Sequence, residues 1–215
     1  MGNITRQREN RCVIIGAAPN PGPIPPQLQP DDFVICADGG LDFALAWDIC
    51  PQLAVGDYDS LQNPGLLAKT EHVTLPREKD DTDTMAAVKI GLERGFRRFL
   101  LLNCTGGRLD HTFANLTVLM YLQQHGATGL LRDGNCTAQV CGEGHIPLKQ
   151  RKGDGLSLFP FGCPEVTVSG EGVFYPLRSL RLRADFPHGV SNEIVADSAW
   201  VEVEQGTVLM ICEKK

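Results

Sequence analysis

Short runs of β-branched and other apolar residues alternate with helical patterns through the first half of the chain. Residues 12–15, 33–37, 53–55, 72–75 and 99–103 are bounded by turn formers and predict buried strands. Between them, residues 42–47, 64–69, 84–93 and 112–124 predict helices. In the last of these, Phe113, Leu116 and Met120 fall at i, i+3 and i+7, and Leu119 widens the stripe that should face the core. Strand, turn and helix in alternation imply a parallel α/β sheet. Beyond about Gly126 the texture changes to Gly and Pro punctuation with short alternating strands, clearest at 156–160, 165–169, 172–175, 198–204 and 207–212. The fold class expected is therefore α/β, a parallel-sheet domain over residues 11–130 followed by a small all-β sandwich or jelly roll over 131–215. Proline-rich residues 18–30 predict an ordered, non-helical loop after the first strand.

Composition narrows the class. The chain has 215 residues, 42% of them apolar, enough for a real core. A formal charge of −6 and the lack of any run of five Lys or Arg exclude a nucleic-acid footprint and a polybasic membrane surface. An anionic substrate must then be met by local charge and metal. The eight cysteines (Cys12, Cys36, Cys50, Cys104, Cys136, Cys141, Cys163 and Cys212) show no two-residue spacing and lie mostly in Val, Ile and Leu runs, which reads as reduced core thiols. Residues 1–10 are polar, without the apolar stretch of a secretory signal, and nowhere do 18 apolar residues run together. Arg6 stands where a myristoylation signal wants Ser or Thr. A cytoplasmic protein is expected.

Four acidic or glycine-rich clusters fall where a predicted strand hands over to a loop or helix, the edge at which open α/β sheets bind ligands. In Ala37-Asp38-Gly39-Gly40 the glycines allow close approach to a phosphate, and Asp38 is set either to accept from a ligand or to cap the next helix. In Gly56-Asp57-Tyr58-Asp59-Ser60 two carboxylates at i and i+2 share one face about 7 Å apart, suited to a hard cation or to a solvated turn. Glu78-Lys79-Asp80-Asp81-Thr82-Asp83 crowds four carboxylates around one lysine. Their repulsion favours a cation among them, and one aspartate is expected to cap the following helix. Gly106-Gly107-Arg108-Leu109-Asp110-His111 joins a glycine turn to a helix start, with Arg108 forked for phosphate oxygens and His111 either a proton shuttle or a partner of Asp110. Carboxylates for Mg²⁺, an arginine and glycine turns, without a P-loop, describe a nucleoside triphosphate site for phosphoryl or pyrophosphoryl transfer.

The order of these clusters resembles the thiamine pyrophosphokinase family, whose Ala-Asp-Gly-Gly, Gly-Asp-Phe-Asp-Ser, Lys-Asp-x-Thr-Asp and Gly-Gly-Arg-x-Asp-His motifs match here with Tyr58 in place of Phe. The all-β half is similar more loosely, through Gly172-Val173-Phe174-Tyr175-Pro176-Leu177 and Gly189-Val190-Ser191-Asn192-Glu193. The resemblance implies transfer of pyrophosphate from ATP to the thiamine hydroxyl, with release of AMP. It implies Asp57, Asp59, Asp80 and Asp83 as the catalytic acids, with Mg²⁺ on Asp57, Asp59 and Asp80. ATP falls to Asp38, Gly39, Gly40, Lys79, Gly106, Gly107, Arg108, Asp110 and His111, and thiamine to Tyr175, Ser191 and Asn192. It also implies a homodimer whose sites are shared between chains. The alternatives are another Mg²⁺-dependent nucleotidyl or phosphoryl transferase and a non-catalytic thiamine- or nucleotide-binding regulator, which should lack one of these carboxylates.

Overall fold

The computed structural model describes residues 10–19, 28–78 and 80–215. The chain divides into two compact units at Gly134 and Asn135. In the first, the strands are β1 (Cys12–Ile15), β2 (Phe33–Ala37), β3 (Leu53–Gly56), β4 (His72–Thr74), β5 (Arg98–Leu102) and β6 (Thr128–Asp133). They pair in parallel in the order β6-β5-β1-β2-β3-β4, with Val13 opposite both Val34 and Leu100. Every residue of β1 and β3 is buried, as a parallel sheet covered on both faces requires.

Alternation along the strands decides which helix each residue meets. Val13, Ile15, Val34, Cys36, Leu100 and Leu102 form one apolar cluster with Leu41 and Ala44 of helix α1 (Gly40–Ala46). Cys12 and Phe99 turn to the opposite face, under helix α2 (Asp83–Glu93). There a Cβ on Gly91 would lie 2.6 Å from the Phe99 ring and 3.1 Å from Cys12 Sγ. Helix α3 (Leu109–Gln124) lies beside α2 and packs on β6. Burial pushes the thiols of Cys12, Cys36 and Cys104 up, so they are protonated packing groups.

Several sequence expectations are corrected. The buried stripe of α3 is Val118, Leu119 and Leu122, while Phe113 is 58% exposed. Apolar residues stand on several sides of this helix, so periodicity alone does not select a face. Residues Pro64–Lys69 form a 3₁₀ turn, not an α-helix. Thr82, not an aspartate, caps α2, its Oγ1 accepting from Met85 N at 3.2 Å. Strand β6 falls where the helical texture ends and completes the parallel sheet beside β5.

The second unit, from Asn135 onward, is antiparallel throughout. Strands β7 (Cys136–Cys141), β9 (Gly155–Pro160), β12 (Asn192–Glu193) and β14 (Val208–Glu213) pair in the order β12-β9-β14-β7. Strands β8 (Gly144–Pro147), β10 (Glu165–Glu171), β11 (Leu177–Arg183) and β13 (Trp200–Gln205) pair in the order β11-β10-β13-β8. Alternate residues of both sets, among them Leu156, Leu158, Val166, Val168, Val201, Val203 and Met210, bury one shared core, the hallmark of a sandwich. Residues 172–175 are not a strand. Gly172 has φ +74°, which turns the chain out of β10, and Val173 makes a single bridge to Ile194. Among the described residues, no helix is long and apolar enough to cross a membrane.

Candidate active site

In a parallel sheet all strands end on one edge, and here the chain reverses its order of addition between β1 and β5. At such a switch point the loops diverge and leave a crevice. A cleft of about 560 Å³ opens there, lined by Gly16 and Pro19 after β1, Asp38 after β2, Asp57 and Asp59 after β3, and Asn103 and Cys104 after β5. Thr82 and Asp83 at the start of α2 and Gly106, Gly107, Arg108 and His111 before and within α3 complete it. Its size suits a nucleotide.

Asp38, Tyr58 and Asn103, each in a strand-end loop at this edge, take left-handed backbone conformations at φ 49°, 60° and 54°. Such strain persists where surrounding contacts hold it. Tyr58 is fixed by its hydroxyl, which donates to Val73 O at 3.1 Å. Burial, then the Asp38 and Asp83 carboxylates, push that phenol up to about 12, so it stays protonated. The β3 loop is tied back by Asp42, which accepts from Gln62 N at 2.8 Å and Asn63 Nδ2 at 3.1 Å.

These constraints bring carboxylate oxygens of Asp38, Asp57 and Asp59 within 4.8 Å of one another. Three like charges so close repel unless compensated. Ser60 Oγ donates to Asp38 Oδ2, Asp59 N donates to Asp57 Oδ1 at 3.2 Å, and Arg77 reaches Asp59 at 2.6 Å. Among the described residues Asp38 Oδ1 is buried without a hydrogen-bond partner, a costly arrangement that a cation would relieve. An oxygen-only donor set with an orphaned carboxylate oxygen fits Mg²⁺.

The opposite wall is built by Asp133 at the end of β6. Its carboxylate accepts from Asn103 N at 2.6 Å, Cys104 N at 2.9 Å and Thr105 N at 2.6 Å. Asn103 Nδ2 donates to Gly16 O at 2.9 Å and Asn115 Nδ2 to Cys104 O at 2.7 Å, which ties β1, β5 and α3 together. From this frame the chain turns through Gly106 (φ +91°) and Gly107 (φ +65°), backbone that L side chains rarely adopt. Arg108 follows, exposed, with its Nε and Nη2 on Asp110 at 3.1 and 2.6 Å. That pair holds the Asp110 carboxyl below the usual range.

Of the residues singled out from sequence, Asp38, Asp57, Asp59, Asp83, Gly106, Gly107, Arg108 and His111 line this cleft. Asp38 joins the carboxylate trio in the place that the resemblance implied for Asp80, which is exposed and outside both the trio and the lining. Gly39 and Gly40 are not lining residues. A Cβ on Gly40 would sit 2.1 Å from Ile15 O, so this glycine lets α1 pack on β1. Asp110 is also outside the lining and acts on Arg108. Lys79 and most of the proline-rich loop lie outside the described residues. Sequence reasoning gave Ser60 no role of its own within its cluster and missed Arg77, Asn103 and Asp133. For Asp133 the only signal was an acid before a Gly-Asn turn, which carries no chemistry by itself.

In the β unit, Tyr175 is 62% exposed and Ser191, also exposed, takes φ 62°. Asn192 is buried, with its side-chain amide on the backbone of Tyr175.

Carboxylates, an arginine and a glycine turn gathered at the switch point of a parallel sheet define an α/β transferase that handles phosphate groups. Residues 26–130 match the family model for "Thiamin pyrophosphokinase, catalytic domain" and residues 144–208 that for "Thiamin pyrophosphokinase, vitamin B1 binding domain". The chain belongs to the thiamin pyrophosphokinase family, which makes it a transferase of the thiamine diphosphokinase class. It is 26% identical over 183 residues to the thiamine pyrophosphokinase of Bacillus subtilis (strain 168), covering 82% of this chain and 85% of that protein. Among solved structures, a thiamine pyrophosphokinase from Bacillus subtilis superposes with a TM-score of 0.86 at 24% identity, covering 96% of this chain and all of that one. A thiamin pyrophosphokinase family protein from Enterococcus faecalis gives a TM-score of 0.80 at 26% identity, covering 96% and 99%. The thiamin pyrophosphokinase from Candida albicans gives 0.76 at 16% identity, covering 96% and 89%, a likeness of fold.

Proposed function

We propose that the chain transfers the β,γ-pyrophosphate of ATP to the hydroxyl of thiamine, with Mg²⁺ held by Asp38, Asp57 and Asp59. The observation that carries the metal assignment is the carboxylate trio with its orphaned Asp38 Oδ1. Bound there, Mg²⁺ would neutralise charge on the phosphate oxygens. Asp59, here paired with Arg77 at 2.6 Å, would be one of the carboxylates that hold the ion. The glycine turn at Gly106 and Gly107 and the Arg108 guanidinium hold the phosphates by N–H donors and charge. Asp83, at the start of α2, adds a further carboxylate to the cleft. The thiamine oxygen bonds to the β-phosphorus as the bond from that phosphorus to the α,β-bridging oxygen breaks, the hydroxyl proton passes to a cleft carboxylate, and AMP leaves.

Incubating the protein with ATP, Mg²⁺ and thiamine should release AMP and form thiamine diphosphate in equal amounts, read by ion-exchange chromatography. ADP as the nucleotide product would replace this reading with an ordinary kinase.

The proposal includes a cytoplasmic homodimer in which Tyr175 of one subunit serves the carboxylates of the other. Its supports are the family resemblance, the buried thiols, and the location of the acidic trio and the exposed aromatic in different units. Mixing an Asp57→Asn chain with a Tyr175→Ala chain and allowing exchange should restore activity at low thiamine, because one site of each heterodimer escapes both lesions. Exchanged mixtures as weak as their parents would assign each site to a single chain.

A further inference from the structure

Phe174 and Tyr175 stand out from the β unit, 64% and 62% exposed, their rings perpendicular with centroids 5.0 Å apart. Their position is set by the backbone. Phe174 N donates to Glu193 O at 2.8 Å, Val195 N donates to Gly172 O at 2.8 Å, and Val173 bridges Ile194 between them. Asn192 fastens the next residue. Its Oδ1 accepts from Tyr175 N at 2.9 Å and from Glu193 N at 2.8 Å, and its Nδ2 donates to Tyr175 O at 2.8 Å.

A side-chain amide that both accepts from and donates to one residue's peptide groups does the work of a strand partner. It fixes the backbone of Tyr175, and Pro176 restricts that residue further to extended conformations. Asn192 is itself held, 8% exposed, by the pairing of β12 with β9 and by Ser191 N donating to Ser157 Oγ at 3.2 Å. Both lone pairs of its Oδ1 and one N–H are already engaged. An exposed aromatic with an anchored backbone is pre-organised to stack on a flat cation, because little freedom remains to be lost on binding.

We propose that Asn192 is a positioning residue that clamps the backbone of Tyr175, holding its ring as a platform for the heteroaromatic cation of thiamine, and that it acts on the substrate through that ring. The proposal rests on the reading of the chain as a thiamine pyrophosphokinase. It replaces the direct contact between Asn192 and thiamine that the sequence suggested.

The test is a double-mutant cycle on the full-length protein, reading thiamine and ATP KM separately and thiamine affinity by calorimetry. Asn192→Ala and Tyr175→Ala should each raise the thiamine KM roughly tenfold and leave the ATP KM unchanged, and the double variant should be no worse than either. Tyr175→Phe, which keeps the ring, should recover most of the thiamine affinity that Tyr175→Ala loses. A double variant whose KM rise is the product of the single rises would show that Asn192 acts independently of the ring and overturn the proposal. Asn192→Ala also strands two backbone N–H groups, so Asn192→Asp is run beside it. It keeps both accepted bonds and loses only the donation to Tyr175 O, so it should raise the thiamine KM less than Asn192→Ala does and be non-additive with Tyr175→Ala in the same way. Absent AMP release with this coupling intact in calorimetry would remove the catalytic reading and leave the platform. AMP release with a thiamine KM indifferent to Tyr175→Ala would remove the platform and leave the catalytic reading.

Discussion

Asp57→Asn and Asp59→Asn should each lower kcat at least about a hundredfold at saturating Mg²⁺, equivalent to about 2.7 kcal/mol of lost transition-state stabilisation. An amide keeps the shape but removes the charge that draws a hard cation, and in a cluster of three carboxylates each one shares the load. Folding should change little. Arg77 and Asp59 are both largely in water, and exposed pairs of this kind contribute little to stability. Steady-state kinetics with a Mg²⁺ titration checks the result, and Mn²⁺ binding followed by electron paramagnetic resonance gives a reading independent of turnover. Near-normal kcat in both variants, with undiminished metal binding, would remove the trio from the mechanism.

Asp133→Ala should lower the stability of the α/β unit by roughly 3 kcal/mol or more, because a hydrogen bond is worth about 1 kcal/mol net and three are lost together. For a chain of this length that corresponds to a fall in melting temperature of roughly 6–12 °C. The three N–H groups belong to the segment that carries Asn103 to the Gly106-Gly107 turn. The ATP KM should therefore rise even at temperatures where the variant is folded. Circular dichroism melts and ATP kinetics test the two halves of the expectation. A variant that melts with wild type and keeps its ATP KM would show that the turn is held by other contacts.

Among the strands legible in sequence, those buried on both faces were bounded most sharply. The apolar runs at Cys12–Ile15 and Phe33–Ala37 match their strands residue for residue, because a sheet covered on both sides tolerates nothing else there. Strand β6 was hard to find, since Thr128–Asp133 buries only Leu131 fully and carries polar ends. Residues 172–175 misled for the opposite reason. Val173, Phe174 and Tyr175 have strand-forming side chains, yet Gly172 turns the chain and the two aromatic rings face water.

By itself, the sequence determined the two-part architecture, the family, and four of the segments that line the candidate cleft, because periodicity, glycine turns and acid spacing are local properties of the chain. Only the tertiary structure decided which groups meet. Asp38 lies nineteen positions before Asp57 in the sequence and joins it because adjacent parallel strands β2 and β3 end on the same edge. Asp133 serves a loop thirty residues away, and Asn192 serves Tyr175 from seventeen positions on, beyond β11. Each of these is a long-range pairing set by strand order, and strand order depends on how the whole core packs.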